Sequence, residues 1–499
     1  MEKKYVLVID QGTTSTRAII FNSFGEIEHI EKEEITQIYP KPGWVEHDPE
    51  EIFNSVLSTI KKSLEKLSLS PKDIFSIGIT NQRETTILFE RKTGKPVFNA
   101  IVWQCRRTSE ICEEIKRRGL NDEIHKKTGL VVDPYFSLTK LIYLLRENDD
   151  LKERVSRGEI LFGTVDTYLL YRLTKGKSFF TDYSNASRTM MFNINSLDWD
   201  KDILREFEIE ESILPQVKDS SSLFGYVDKD YFGYEIPITA MIGDQQGSLF
   251  GELCIEEGMV KNTYGTGCFI LLNTGEKRVF SKEGLLTTIA WGIDGNVSFA
   301  LEGSIFIAGA LVQWLRDGLQ IIKNSFEVED LAKKVYDTEG LYIVPAFVGL
   351  GTPYWDMYAG GLLIGITRKT EKSHIARAAL EAIAFQTKDV LNTMERELNN
   401  KIKVLRVDGG ASMNDTLMQI QSDFLGIVVE RPKILETTAF GTFLLSSLGS
   451  KLIDFNSIKN FEKIEKIFTP KMSKETREKK YEIWKEAVKR SLGWRKILM

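Results

Sequence analysis

Little in this chain invites disulfide or zinc chemistry. It carries four cysteines, Cys105, Cys112, Cys254 and Cys268, in 499 residues, and no two stand as Cys-x-x-Cys. So sparse a set builds no disulfide framework. Its four histidines are scattered and leave no zinc pattern. No apolar run approaches the length of a bilayer span. The N-terminal residues enter a strand pattern at once, without a secretory-signal profile, so the cytoplasm is the expected location. Charge of one sign is lacking too: the formal net charge is -5, and Lys and Glu alternate rather than forming blocks. That excludes a nucleic-acid or anionic-membrane footprint. Two nucleotide motifs are also missing. There is no Gly-x-x-x-x-Gly-Lys-Ser/Thr, and no Gly-x-Gly-x-x-Gly follows the first strand, which disfavours a P-loop protein and a dinucleotide-binding dehydrogenase.

What is present is a globular composition, 27% charged and 42% hydrophobic. At this length two or more domains are expected. The chain opens on Tyr5 to Phe21, which reads as strand, polar turn, strand. Val6 to Ile9 and Ala18 to Phe21 are apolar runs. Between them lie Asp10, Gly12, the hydroxyl residues Thr13, Thr14, Ser15 and Thr16, and Arg17. A turn rich in N–H and hydroxyl donors beside a cation suits a polyphosphate, and Asp10 could hold a metal ion through water. An ordinary β-hairpin with a Gly-Thr turn would look the same.

Further along, apolar spacing predicts a helix over Glu50 to Leu67 with Pro49 at its start. Ile74 to Thr80 reads as a strand ending in Asn81-Gln82-Arg83-Glu84, and strand ends are favoured sites in α/β folds. Ala100 to Trp103 is another strand. Helices are predicted over Phe136 to Arg146, Gly163 to Leu173, Glu302 to Gly318, Ser373 to Leu398 (with Ser373 as its cap), Thr437 to Leu448 and Ser473 to Leu492. Tyr183 to Ser187 reads as a polar loop. Ile238 to Ile242 is a strand ending in Gly243-Asp244-Gln245-Gln246-Gly247-Ser248, which echoes Asp10-Gln11-Gly12-Thr13. Asp408-Gly409-Gly410 after Val404 to Val407, and Tyr264-Gly265-Thr266-Gly267-Cys268-Phe269, add two more glycine turns. These recurrences suggest a duplicated domain with its boundary near residues 248 to 258, though they are too degenerate to prove it.

Asp244 is the most interesting carboxylate. It could take a proton from a substrate hydroxyl during phosphoryl transfer, or simply cap the following helix. Arg83 and Glu84 could clamp a polyol, one donating and the other accepting, or form a solvated surface pair. Trp103 and Phe269 could be core aromatics or an apolar wall against substrate C–H groups.

Taken together these stretches resemble the glycerol kinases among the FGGY carbohydrate kinases, within the actin and sugar-kinase ATPase superfamily. Asp10 to Arg17 resembles the superfamily's first phosphate motif, Gly243 to Gly247 its second, and Asp408 to Ala411 its adenosine motif. Gly360 to Val390 is similar to the family's C-terminal signature. Asn81 to Glu84, Trp103 to Thr108 and Tyr264 to Phe269 are similar to glycerol kinases in particular. The resemblance covers essentially the whole chain. It implies an α/β fold of two ribonuclease-H-like domains with a cleft between them, residues 1–250 for glycerol and phosphates and 251–499 for the nucleotide. It implies ATP and Mg²⁺ as cofactors, with glycerol phosphorylated to sn-glycerol 3-phosphate, and a homo-oligomer, dimer or tetramer. Arg83, Glu84, Tyr135, Asp244 and Gln245 would hold the glycerol hydroxyls, and Trp103 and Phe269 would pack its carbon edge. Asp244 would be the general base. Thr13, Thr14, Ser15 and Arg17 would contact the phosphates, with Asp10 near magnesium through water. Thr266, Gly309, Gln313, Gly410 and Asn414 would line the rest of the nucleotide site. A sugar kinase for a pentulose or sugar acid, or an actin-like ATPase switch, is the alternative. One departure concerns Val227 to Glu235. There some glycerol kinases carry an arginine-containing anion-effector loop or a phosphorylatable histidine, and this chain has neither.

Overall fold

The computed structural model describes residues 4–498. One mixed sheet of 13 strands runs through it. In chain order these are β1 (Tyr5–Gln11), β2 (Ser15–Asn22), β3 (Ile27–Glu34), β4 (Ile74–Asn81), β5 (Ser221–Tyr226), β6 (Pro237–Gly243), β7 (Val260–Tyr264), β8 (Cys268–Gly275), β9 (Leu286–Ile293), β10 (Asn296–Ile305), β11 (Val404–Asp408), β12 (Val428–Pro432) and β13 (Ile464–Phe468). Across the sheet the order is β13-β12-β11-β7-β8-β10-β9-β5-β6-β4-β1-β2-β3.

That order contains one motif twice. β1 and β2 form a hairpin, β3 joins antiparallel to β2, β4 lies parallel on the other side of β1, and β6 lies parallel to β4. The strands β7, β8, β10, β11 and β12 repeat the plan: hairpin, antiparallel third strand, then two parallel strands. β5 and β9 bridge the two copies. The duplication suggested by the glycine turns is therefore architectural, but the correspondence differs from the sequence echo. The partner of the Asp10 turn is the Tyr264–Cys268 turn, because each closes the first hairpin of its copy. Gly243–Ser248 follows a fifth strand, and its counterpart follows β12. The echo between Asp10 and Asp244 arises because both leave a buried strand for a polar loop.

The helices that matter to the site are α1 (Pro49–Leu67), α2 (Ser137–Arg146), α3 (Val165–Leu173), α4 (Tyr183–Ala186), α5 (Asp244–Gly251), α6 (Gly309–Asp317), α7 (Lys372–Leu398), α8 (Asp415–Leu425), α9 (Thr437–Gly449) and α10 (Lys474–Ser491). Helix α1 starts as Pro49 predicts, with Asp48 accepting from the Glu50 N–H. β1 is apolar on both faces because both are covered. Leu7 and Ile9 join a core with α1 and α3, whereas Val6 and Val8 join one with α5 and α9. That second core also takes in Leu271 and Ala300 from the later copy, so α5 and α9 form the layer shared by both halves. They meet through glycine. A Cβ at Gly441 would lie 2.0 Å from Gly247 O, and one at Gly251 would lie 1.9 Å from Thr437 O.

Three predicted elements are corrected. Glu302 does not open a helix. It lies in β10, which pairs with both β8 and β9, and the helical spacing of Val312 and Leu315 begins only at Gly309. Tyr183 to Ser187, read as a polar loop, is polar but not a loop. It is the short helix α4, capped by Asp182, with Ser184 and Asn185 buried. Ser373 is not the cap of α7: that helix starts at Lys372 behind Glu371, whose N–H donates to His374 Nδ1. In α10, Tyr481, Trp484 and Val488 are buried as their spacing predicts, whereas Leu492 is exposed.

Candidate active site

Strand register assembles the first half of the site. In the parallel strands, Gln11 is opposite Asn81 and Asn81 is opposite Gly243. The loops that follow, bearing Gly12, Arg83, Glu84, Asp244 and Gln245, therefore leave the sheet side by side. Within the hairpin, Asp10 is opposite Arg17. Their side chains meet at 2.8 Å, and Arg17 also reaches Glu436 at 2.5 Å, just before α9. Burial raises the pKa of Asp10 and Arg17 opposes it. Asp10 Oδ2 is buried without a hydrogen bond, because the Arg17 contact is close but misaligned.

The turn backbone is held from behind. Gln37 Nε2 donates to Thr13 O at 2.9 Å, and Gln82 Nε2 donates to Gly12 O at 3.2 Å. His47 lies between the two glutamines, Nε2 against Gln37 Oε1 at 3.0 Å and Nδ1 against Gln82 Nε2 at 3.3 Å. An amide NH₂ can only donate to Nδ1, so the ring is neutral and Nε2 bears the proton. Burial agrees, lowering the His47 pKa to about 4. Thr14 is exposed at the tip, Thr13 is half-buried and Ser15 is buried at the head of β2.

Beside the turn lies a cluster of polar side chains flanked by aromatic rings; we refer to it as the recess. Trp103, Tyr135 and Phe269 stand edge to face, at 5.5 Å for Trp103–Tyr135 and 6.3 Å for Trp103–Phe269. The indole N–H of Trp103 donates to Thr13 Oγ1 at 2.9 Å, tying these rings to the Gly12–Ser15 turn. Arg83 and Glu84 are buried, which removes the reading of a solvated surface pair. Glu84 sits at φ 61°, and the Thr85 N–H donates to Arg83 O at 2.7 Å, a γ-turn that an L-residue adopts only under strain. Such strain is characteristic of functional positions. Arg83 Nε lies 3.2 Å from Asp244 Oδ1, and Arg83 Nη2 donates to Tyr135 Oη at 3.3 Å. Asp244 is the first residue of α5, and its carboxylate accepts from the adjacent Gln245 N–H at 2.7 Å. Gly243, not Asp244, is the cap. Desolvation raises the Asp244 pKa and Arg83 opposes it. The side chain keeps 30% exposure, so that desolvation is partial.

Several participants carry no sequence signal of their own. Glu302 of β10 accepts from Arg83 Nη1 at 2.6 Å and from Arg188 Nη2 at 3.0 Å. Burial opposes ionisation of Glu302, but Arg188 and Arg83 outweigh it and hold its pKa at about 2. Lys261 is buried, and its Nζ donates to Gln245 Oε1 and Thr263 Oγ1, both at 2.6 Å. Because an ammonium only donates, the Gln245 carbonyl must face Lys261, leaving Nε2 as the group Gln245 can offer a ligand. Burial lowers the Lys261 pKa, with Asp408 opposing. A cation alternating with small polar residues on a strand reads from sequence as a surface face, so this role was not visible there.

The second half supplies a cradle of loops. The N–H groups of Ala308 and Ala310 donate to Thr266 O at 2.8 and 3.1 Å, and Gly309 N–H donates to Gly265 O at 3.0 Å. Helix α6 thus begins on the Tyr264–Cys268 turn, with Thr266 and Gln313 exposed and Gly309 half-buried. A Cβ at Gly409 would lie 2.5 Å from Tyr264 O, while one at Gly410 would meet nothing within 4 Å. The Asp408 loop therefore packs on the turn while Gly410 keeps an open face. Asn414 Oδ1 caps α8 through the Leu417 N–H at 2.9 Å, which leaves its Nδ2 for other partners. Asp408 Oδ2 accepts from Ser248 Oγ at 2.9 Å and from Thr437 Oγ1, and Thr438 Oγ1 donates to Asp244 O at 3.1 Å. Helices α5 and α9 are thereby both bound to the end of β11, and the start of α9 to the start of α5.

Residues 5–251 match the N-terminal domain of the FGGY family of carbohydrate kinases, and residues 260–449 its C-terminal domain. Glycerol kinase 2 of Thermotoga maritima is 57% identical over 494 residues, 99% of this chain and 100% of that protein. Glycerol kinase of Thermoanaerobacter sp. is 56% identical, covering 98% and 99% of the two chains. Among solved structures, Plasmodium falciparum glycerol kinase with ADP superposes with a TM-score of 0.93 at 38% identity over 98% of each chain. Gluconate kinase from Lactobacillus acidophilus has the same fold, TM-score 0.88 at 22% identity over 97% of each chain.

Proposed function

The chain belongs to the FGGY family of carbohydrate kinases, and from that premise we infer that it is a glycerol kinase, transferring the γ-phosphoryl group of ATP to a terminal hydroxyl of glycerol. The observation that carries the choice of acceptor is one cluster of side chains. Arg83, Glu84, Tyr135 and Asp244 are linked to one another next to Trp103 and Phe269, bringing donors, acceptors and an apolar edge together. A triol presents the complementary set. Discrimination then comes from leaving no buried polar group unpaired, which penalises an acceptor lacking a hydroxyl more than contact area rewards one.

In this reading Arg83 donates to glycerol oxygens, Glu84 accepts from a hydroxyl, and Gln245 offers the Nε2 that Lys261 leaves free. Asp244 receives the proton of the attacking hydroxyl as the O–P bond forms. A hydroxyl is a poor nucleophile until late in such a transfer, so placement and charge stabilisation matter more than a strong base. Thr13, Thr14 and Ser15 hold phosphate oxygens, and Arg17 leaves its carboxylate partners to neutralise them. Thr266, Gly309, Gln313, Gly410 and Asn414 surround the remainder of the nucleotide. Mg²⁺ fits beside Asp10, whose buried Oδ2 has no hydrogen-bond partner. Among the described residues no group of three or more acidic, histidine or cysteine side chains could hold a metal, so water and phosphate would supply its other ligands. When bound it would supply charge neutralisation of the phosphates. A homo-oligomeric state and a cytoplasmic location accompany the assignment; among the described residues no helix is long and apolar enough to cross a membrane.

The test is phosphorus NMR of a reaction containing purified protein, ATP, Mg²⁺ and glycerol. The expected product is a single phosphomonoester on a primary carbon of glycerol. Inorganic phosphate as the only product would contradict the assignment.

A further inference from the structure

Arg83 and Glu84 leave a strand end in a strained turn, and neither side chain is held by its own loop. Their partners come from far along the chain. Glu302 receives Arg83 as a fork, Nη1 on Oε2 at 2.6 Å and Nη2 on Oε1 at 3.3 Å, across 219 residues. Glu302 Oε1 also receives Arg188 Nη2 at 3.0 Å. Arg188 in turn donates from Nε to Glu84 Oε1 at 2.6 Å, and Arg83 Nε closes the ring 3.8 Å from the same Glu84 oxygen. Charges alternate around this ring, and each of the four side chains is at most 2% exposed. Arg188 also lies against the rings of Tyr135 and Phe136, at 5.5 and 5.3 Å. Arg188 thus touches Glu84 and Tyr135, and Glu302 touches Arg83. Between them they stand behind Arg83, Glu84 and Tyr135, though not behind Asp244.

Burying four charges is unfavourable unless each is paired, and apolar residues of similar volume would hold a core at least as well. A ring kept at that cost, directly behind a ligand site, points to orientation rather than to stability. Its physical effect is specific. With Nη1 on Glu302 and Gln246 and Nη2 on Glu302 and Tyr135, Arg83 turns its Nε toward Asp244. Without Glu302 the guanidinium would lose its one charged anchor there and keep only Gln246 and Tyr135, which favours a swing onto Asp244, the carboxylate that must stay available to a hydroxyl proton. Without Arg188, the Glu84 carboxylate would lose its only ion-pair partner closer than 3.8 Å among the described residues, and Tyr135 the cation behind its ring.

We propose that Arg188 and Glu302 are positioning residues of the acceptor site, fixing Arg83, Glu84 and Tyr135 for glycerol, so that a strand of the second half sets acceptor affinity in the first. This rests on the reading of Arg83 and Glu84 as glycerol ligands. A mere staple between the halves would lower thermal stability and leave the ratio of the two Michaelis constants unchanged.

The experiment is initial-rate kinetics on the full chain, varying glycerol at saturating ATP and ATP at saturating glycerol, with thermal midpoints for each variant. Arg188→Lys and Glu302→Asp keep each charge but cannot span both partners. The expected result is a rise of about tenfold or more in KM for glycerol with KM for ATP within about twofold. Should either variant fold poorly, Arg188→Met with Glu302→Met removes one charge of each sign together, and the same split is expected. Equal rises in both constants, or a wild-type KM for glycerol in folded variants, would overturn the proposal. Wild-type protein that releases ADP without any response to glycerol would overturn the glycerol assignment as well.

Discussion

Asp244 accepts one backbone hydrogen bond, lies near one guanidinium and keeps part of its surface open to the cleft. That setting is compatible with the proposed role of proton acceptor from a ligand. Asp244→Asn keeps the shape and removes the proton acceptor, so kcat should fall by about 10²–10⁴-fold, read from steady-state rates. Near-normal turnover would remove the base assignment. Glu302 makes a different prediction, about stability. Its folded pKa of about 2 lies below the ordinary 4.5. The stability it contributes is therefore complete above about pH 4.5 and is lost as pH falls through about 2. The difference in unfolding free energy between wild type and Glu302→Gln should shrink between about pH 7 and about pH 3; a constant difference would contradict the ion-pair account. Legibility at this scale divides cleanly. Arg83, Glu84 and Asp244 were visible because polar residues that end apolar strands gather at one edge of a sheet. Glu302 and Arg188 were not, because what distinguishes them is pairing across 219 and 114 residues. A glutamate before Gly-Ser-Ile-Phe reads as a helix start, and an arginine after Ser-Asn-Ala-Ser reads as part of a loop.

At the scale of elements, the crossing of α5 and α9 carries the site. Both helices begin at the cleft, next to Asp10, Asp244 and Asp408, and they approach closely because Gly247, Gly251 and Gly441 have no side chains. The sequence shows Gly441 in a helical context, which implies close approach, but it does not name the partner. Gly441→Ala would force the helices apart, since the added carbon overlaps Gly247 O. We expect destabilisation of about 1–3 kcal/mol, the usual range for overpacking, measured by urea unfolding; a neutral effect would mean the crossing yields easily. Helix boundaries were legible where a cap or proline marks them, as at Asp48 and Pro49, and misread at Glu302, where apolar spacing fits strand and helix alike. The segment Val227–Glu235 is a capped turn of helix in which Lys177 pairs with Asp228, and Lys175 with Asp230. It has no arginine or histidine of its own, and Lys229 is its single cation. A sugar bisphosphate should leave the rate unchanged, and inhibition that vanished on replacing this segment would contradict that.

The whole molecule is one five-strand plan used twice, joined through β5 and β9 and through the α5–α9 layer. Glycine turns at the ends of buried strands made the repetition visible in sequence. Which turns correspond was settled only by strand order, because an Asp-Gln pair with a glycine close behind can end a first strand or follow a fifth. We divide the labour accordingly. In the proposed reading the first copy would hold the phosphates and most of the acceptor, and the second copy the rest of the nucleotide. Residues such as Glu302, Lys261 and Phe269 reach back from the second copy into the recess. A cleft built this way can bring donor and acceptor together only with both halves in place, which favours transfer to glycerol over transfer to water. The most direct measurement is therefore the initial rate of ADP release by purified protein with ATP and Mg²⁺, alone and with glycerol, a pentulose or a sugar acid. The account predicts strong stimulation by glycerol and little by the others. Stimulation by a pentulose or sugar acid but not glycerol, or a rate indifferent to all of them, would contradict it.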